Sequence, residues 1–87
     1  MRPIYVVTAV YEYEGSQMLR AFTTKEAANQ VQAEYEAYLA ARPVTDDSDE
    51  TAWQAYCEAY AAWFLAAPKG FTECDYFTID PIELEGV

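Results

Sequence analysis

The sequence has no histidine, only five Lys and Arg residues against fifteen Asp and Glu, three glycines, two cysteines and no long apolar run. Each shortage removes a class of chemistry. Without histidine there is no Ser-His-Asp or Cys-His arrangement, and the commonest general base near neutral pH is missing. Five cations spread along the chain cannot supply the phosphate contacts that direct nucleic-acid binding needs. Gly15, Gly70 and Gly86 are scattered and form no phosphate-cradling loop. Cys57 and Cys74 make neither a disulfide framework nor a zinc-ligand pattern, and read as a small buried hydrophobe in a helix and a loop thiol. The apolar run after Arg2 is broken by Tyr11, Glu12, Tyr13 and Glu14 before a signal-peptide core accumulates. Nothing approaches the roughly 20 apolar residues of a membrane span, so a cytoplasmic location is expected.

What is present is apolar and aromatic. Hydrophobic residues make up 53% of the 87, including eight Tyr and two Trp, far too many for an acidic disordered tail. The chain therefore reads as one acidic domain, residues 1–87. Residues 4–13 alternate as a strand, with Tyr5, Val7, Ala9, Tyr11 and Tyr13 on one face and Ile4, Val6, Thr8, Val10 and Glu12 on the other. A turn at residues 14–17 and a second strand at 18–23 complete a hairpin. Thr23-Thr24-Lys25-Glu26 reads as a capping box opening a helix to Arg42, whose apolar stripe is Ala28, Val31, Tyr35, Tyr38 and Leu39. Pro43 ends it.

A second helix, about residues 50–66, is apolar almost all round, and so buries most of its surface or covers something outside its own chain. Residues 76–80 alternate as a third strand, with Phe77 and Ile79 toward the core and Ile82 and Leu84 extending it past Pro81. The order β-β-α-α-β predicts an α+β two-layer sandwich, with a three-stranded antiparallel or mixed sheet and a helical hairpin on one face. Following the chain up and down places the third strand antiparallel to the second, or parallel to the first. The apolar residues on both faces of the first strand favour it as the centre.

The acids gather in three places: Glu12 and Glu14 near the hairpin tip with Tyr11 and Tyr13 beside them; Asp46, Asp47, Asp49 and Glu50 between the helices; and Glu73, Asp75, Asp80, Glu83 and Glu85 around the last strand. Glu12 and Glu14, two apart on a strand, are expected on one side about 7 Å apart. A calcium loop counted from Asp47 fails, because Ala52 stands where a glycine is required and Glu50 onward is helix; capping of the helix N-terminus explains these carboxylates better. No catalytic residues, cofactor or metal are expected. Repeated carboxylates on a folded surface are electrostatically like the phosphates of a nucleic acid and attract a Lys/Arg-rich groove, with tyrosines supplying anchoring area. The formal charge of −10 also exceeds the magnitude of about 2 to 8 that keeps a small domain soluble.

In size, charge, lack of catalytic residues and hairpin-then-helices layout, the chain resembles the small acidic products of phages and mobile elements that disable host defence. Anti-CRISPR proteins of the DNA-mimic type are the nearest comparison, and no diagnostic motif carries the resemblance. It implies a non-enzymatic inhibitor that binds a basic surface of a CRISPR effector or other DNA-binding defence protein in the host cytosol and excludes target DNA. Two other readings stay open. One is an immunity or antitoxin-like protein neutralising a basic nuclease or toxin. The other is a structural phage protein that self-associates as a homodimer through the apolar second helix.

Overall fold

Alternating β-branched and aromatic residues make the first two elements strands, and the structure, a computed structural model describing residues 2–84, joins them in a hairpin. In chain order the elements are β1 (Arg2–Tyr11), β2 (Gly15–Phe22), α1 (Lys25–Ala40), α2 (Glu50–Leu65) and β3 (Tyr76–Leu84). The sheet order is β2-β1-β3, and both neighbours of β1 run antiparallel to it. This is the α+β, β-β-α-α-β arrangement expected, with the doubly apolar β1 at its centre.

The hairpin turns earlier than the sequence pattern suggests. Tyr11 pairs with Gly15, so Glu12, Tyr13 and Glu14 form the turn themselves. Gly15, at φ +96°, supplies the left-handed residue that closes a three-residue loop. Farther along, the register shifts between Val7 and Thr8, because Leu19 is an extra residue in β2. This half-buried leucine packs against the core.

β3 pairs antiparallel with β1, within the antiparallel alternative of the expected sheet, and so corrects the up-and-down expectation that set it antiparallel to β2 or parallel to β1. That expectation counted each helix as one traverse of the sheet. Only α1 makes such a traverse, packing on all three strands; no Cα of α2 comes within 8 Å of another element. With a single return pass, β3 must start at the same end as β2, and it therefore runs antiparallel to β1.

The core lies between α1 and one face of the sheet. Val7, Ala9 and Phe77 from the strands meet Ala28 and Tyr35 of α1, all buried, with Leu39, Val31 and Phe22 at the edges. Burying each large side chain contributes about 1.5–3 kcal/mol. The apolar stripe read from the sequence is the face α1 buries. Its N-cap is Thr24, one residue later than expected: the Thr24 hydroxyl accepts from the Ala27 amide at 3.3 Å. Glu26 therefore sits in the first turn, favourable for the helix dipole, without being the reciprocal partner of a capping box. The two thiols exchange the roles expected of them. Cys57 is exposed on α2, whereas Cys74 is buried in the core just before β3, and burial pushes its thiol up from the ordinary value.

α2 is held by aromatic side chains at its C-terminal half. The Trp63 ring stacks on Tyr38 at 4.9 Å and meets Phe71 edge-on at 5.7 Å. Trp63 Nε1 donates to the Tyr38 carbonyl at 3.0 Å, and the Tyr38 hydroxyl donates to the Trp63 carbonyl. The rest of the helix projects from the body. The molecule measures 59 × 25 × 15 Å with a radius of gyration of 16.4 Å, against about 12 Å for a compact chain of this length.

Gly70 is the tight point of the loop between α2 and β3. It has φ +81°, and a Cβ there would stand 2.7 Å from the Tyr35 hydroxyl and 2.8 Å from Arg20 Cδ. Arg20 can swing aside; Tyr35 is buried, and its hydroxyl donates to the Lys69 carbonyl. Gly70→Ala is expected to cost about 2–3 kcal/mol, combining left-handed strain with overpacking. Gly15→Ala, whose Cβ would meet nothing within 4 Å, should cost about 1–2 kcal/mol from the backbone alone. Urea unfolding of both variants checks this, and equal losses would contradict it.

Candidate functional site

The loop following α2 brings its acids to the hairpin tip. Asp75 reaches across so that its Oδ2 accepts from the Glu12 amide at 2.7 Å, while its own amide donates to the Val10 carbonyl at 3.0 Å. These two bonds join segments more than sixty residues apart and fix Glu12 and Glu14 at one end of the molecule. Beside them opens a cleft of about 920 Å³ between the end of α1, the segment after it, α2 and the start of β3. Its acidic lining is Glu36, Glu73 and Asp75, and its aromatic walls are Tyr56, Tyr60, Tyr76 and Phe77.

Glu73 is the clamp of this cleft. Its carboxylate accepts from the Tyr60 hydroxyl through Oε1 and from Arg42 Nη1 through Oε2, both at 2.6 Å. Arg42–Glu73 is the one salt bridge among the described residues. The Tyr60 hydrogen bond, more than Arg42, draws the Glu73 carboxyl below its ordinary value of 4.5, against partial desolvation. The same bond raises the Tyr60 hydroxyl above 10.0. Arg42 is likewise raised, chiefly by its hydrogen bond to Glu73. The clamp ties α2 and the chain after α1 to the loop before β3.

The structure sorts the acids singled out from the sequence. Glu12, Glu14 and Tyr13 project into solvent at the tip, Tyr13 being 96% exposed. Because Glu12 and Glu14 lie in the turn, the strand spacing expected of them does not apply. Tyr11 is no free anchor: it is half-buried against the core, its hydroxyl 3.4 Å from Thr72 Oγ1. Asp46 folds back on Ser48, accepting from its amide at 3.2 Å and its hydroxyl at 2.8 Å, which lowers its pKa. Asp49 caps α2, accepting from the Ala52 amide at 2.7 Å, and Glu50 lies in the first turn, so both occupy the positive end of the helix dipole. Asp47 is exposed in the same segment.

The acids around β3 are not one cluster. Glu73 and Asp75 precede the strand at the hairpin-tip end. Asp80 and Glu83 are exposed opposite Val6 and Pro3, far along β3. Glu85 lies outside the described residues. Sequence reasoning missed Glu36, Tyr56, Tyr60 and Tyr76. Tyr56 and Tyr60 lie one helical turn apart on the side of α2 that faces the body, a spacing that could have marked them.

Carboxylates beside tyrosine rings suit a guanidinium or ammonium group, which gains charge pairing and cation–π contact together. Within the chain, Arg42 already makes the charge pairing of this kind, to Glu73. No helix among the described residues is long and apolar enough to cross a membrane. The fold and this end thus define a small α+β domain that sets Glu12, Glu14, Glu73 and Asp75 beside several tyrosines at one pole. The chain belongs to the family described as Domain of unknown function (DUF7336), which matches residues 3–87. No curated protein and no solved structure matches it.

The clamp has a defined pH window. A carboxylate with a depressed folded-state pKa stabilises above its unfolded value and loses that contribution as pH falls through the folded one. A hydroxyl with a raised pKa stabilises below its unfolded value, and loses it as pH rises through the raised one. Docking of α2 should therefore weaken below about pH 4 and above about pH 10. Glu73→Gln should remove the acid-side transition at a cost of about 1 kcal/mol or less, since the pair is partly exposed. Trp63 emission in a Trp53→Phe background reports it. An acid midpoint identical with and without Glu73 would exclude the clamp.

Proposed function

We propose that the protein is a non-enzymatic inhibitor that acts in the host cytosol by occupying the basic, nucleic-acid-binding surface of a defence complex such as a CRISPR effector. Its acidic pole takes the place of target DNA. The observation that carries this reading is the bond from the Glu12 amide to Asp75, which sets the hairpin-tip acids beside the acidic, tyrosine-walled cleft. Carboxylates spaced over a rigid surface compete for Lys and Arg side chains that otherwise meet phosphates. Tyr13 at the tip and the cleft tyrosines add apolar area to the charge pairing. A net charge of −10 steers association with a basic groove over distances beyond contact.

The side chains of Glu12 and Glu14 are exposed and lie outside the core, so charge reversal there spares the fold. Against an effector complex presented with its target DNA, the parent protein should compete with the DNA, and its affinity should fall steeply with rising salt. The Glu12→Lys, Glu14→Lys double variant should bind at least about tenfold more weakly, about 1.4 kcal/mol. Unchanged affinity of that variant, or simultaneous binding of protein and DNA, would sink the proposal.

A further inference from the structure

α2 presents a face that nothing in its own chain covers. Tyr56, Tyr60 and Trp63 turn toward the body, leaving Trp53, Cys57, Ala61, Phe64 and Leu65 outward. Trp53 is 47% exposed, Phe64 60% and Leu65 85%. Trp53, Cys57, Ala61 and Phe64 follow one another at helical spacing and form a single stripe. In a chain with fifteen acids, α2 carries only two, Glu50 and Glu58. With so few charges, this face offers little repulsion to a second −10 molecule.

We propose that α2 is the homodimer contact, packing antiparallel on α2 of a second copy about a two-fold axis passing between residues 58 and 59. The stripe is self-complementary about that point. At about 1.5 Å rise per residue, Trp53 of one copy falls against Phe64 and Leu65 of the other, and Cys57 beside Ala61. The charges agree with this direction: Asp49 and Glu50 at the start of α2 come to the end of the second copy's helix, just before its exposed Lys69. A parallel pairing would instead set the acidic helix starts, Asp46 to Glu50, against each other.

The exposed parts of Trp53, Phe64 and Leu65, with Cys57 and Ala61, offer roughly 400 Å² per copy, about half of what a stable interface buries. The dimer is therefore weak and dissociates on dilution. The acidic pole stays free in it. Its response to salt is opposite to that of binding to a basic partner: screening the mutual repulsion of two acidic molecules strengthens the dimer.

Sedimentation velocity from about 1 μM to about 500 μM, at low and high salt, tests this by mass action. The expected result is a shift from monomer to dimer with concentration, enhanced by salt and lost in Phe64→Ser, Leu65→Ser, whose sites are exposed enough to keep the fold. Cys57 provides a native reporter. The two thiols lie about 5 Å apart along the axis of the pair, within disulfide reach. Diamide, taking up the two thiol hydrogens, should then link them, and should not link Trp53→Cys in a Cys57→Ser background, where the thiols are about 16 Å apart. A monomer at every concentration and salt, a dimer indifferent to the Phe64 and Leu65 changes, or efficient linking through position 53 would each overturn the proposal.

Discussion

Phe71 is the contact on which the rest of the structure depends. Its ring meets Tyr35 at 5.7 Å, Tyr38 at 5.0 Å, Trp63 at 5.7 Å and Phe77 at 5.8 Å, so one side chain touches α1, α2 and β3. Most of these contacts are edge-to-face, the arrangement that aligns ring edges with π faces and adds about 0.5–1.5 kcal/mol per pair beyond buried area. Phe71 can reach this position because Gly70 turns the chain through a left-handed conformation, where the Tyr35 hydroxyl leaves no room for a Cβ. The path of the loop after α2 follows, and with it the places of Glu73 and Asp75. The clamp on α2 and the acidic pole are both consequences of one aromatic junction.

Charge shapes the remainder. With five cations for fifteen acids, most carboxylates have no ion-pair partner available. Several are instead absorbed by neutral donors: Asp46 by Ser48, Asp49 by the start of α2, Asp75 by the Glu12 amide, and Glu73 partly by Tyr60. Each such bond satisfies a carboxylate that has no cation to pair with, so this solution does not sacrifice local order. The acids left over point to solvent, where their repulsion is lowest. The outcome is a molecule with two dissimilar surfaces, an acidic pole on the body and a nearly uncharged helix projecting from it.

The sandwich and its inner face were legible as pattern. Period-two alternation in β1 and β3 and the 3.6-residue stripe of α1 are local signals, and Val7, Ala9, Ala28, Tyr35 and Phe77 are buried where that periodicity puts them. Other features were not legible. The hairpin turn moved to residues 12–14 because its closure rests on Gly15 rather than on the residues after it. The exchange of roles between Cys57 and Cys74 has the same origin: helix membership is local, but burial depends on which side of α2 meets the body. The orientation of β3 depended on whether α2 crosses the sheet, and the aromatic contacts that keep it from doing so join Trp63 to Tyr38, 25 residues away, and to Phe71 in the following loop.

What the sequence by itself determined is therefore the set of elements, the identity of the core stripe and the excess of negative charge, because each is encoded in spacing or composition. Which acids remain free and which are spent on Arg42, Tyr60 or a backbone amide was decided by tertiary structure alone. So was the convergence of Glu12 with Asp75, two residues with no local signal linking them. The physical reason is that a carboxylate's role depends on the donors within about 3 Å of it, and folding alone brings those donors there.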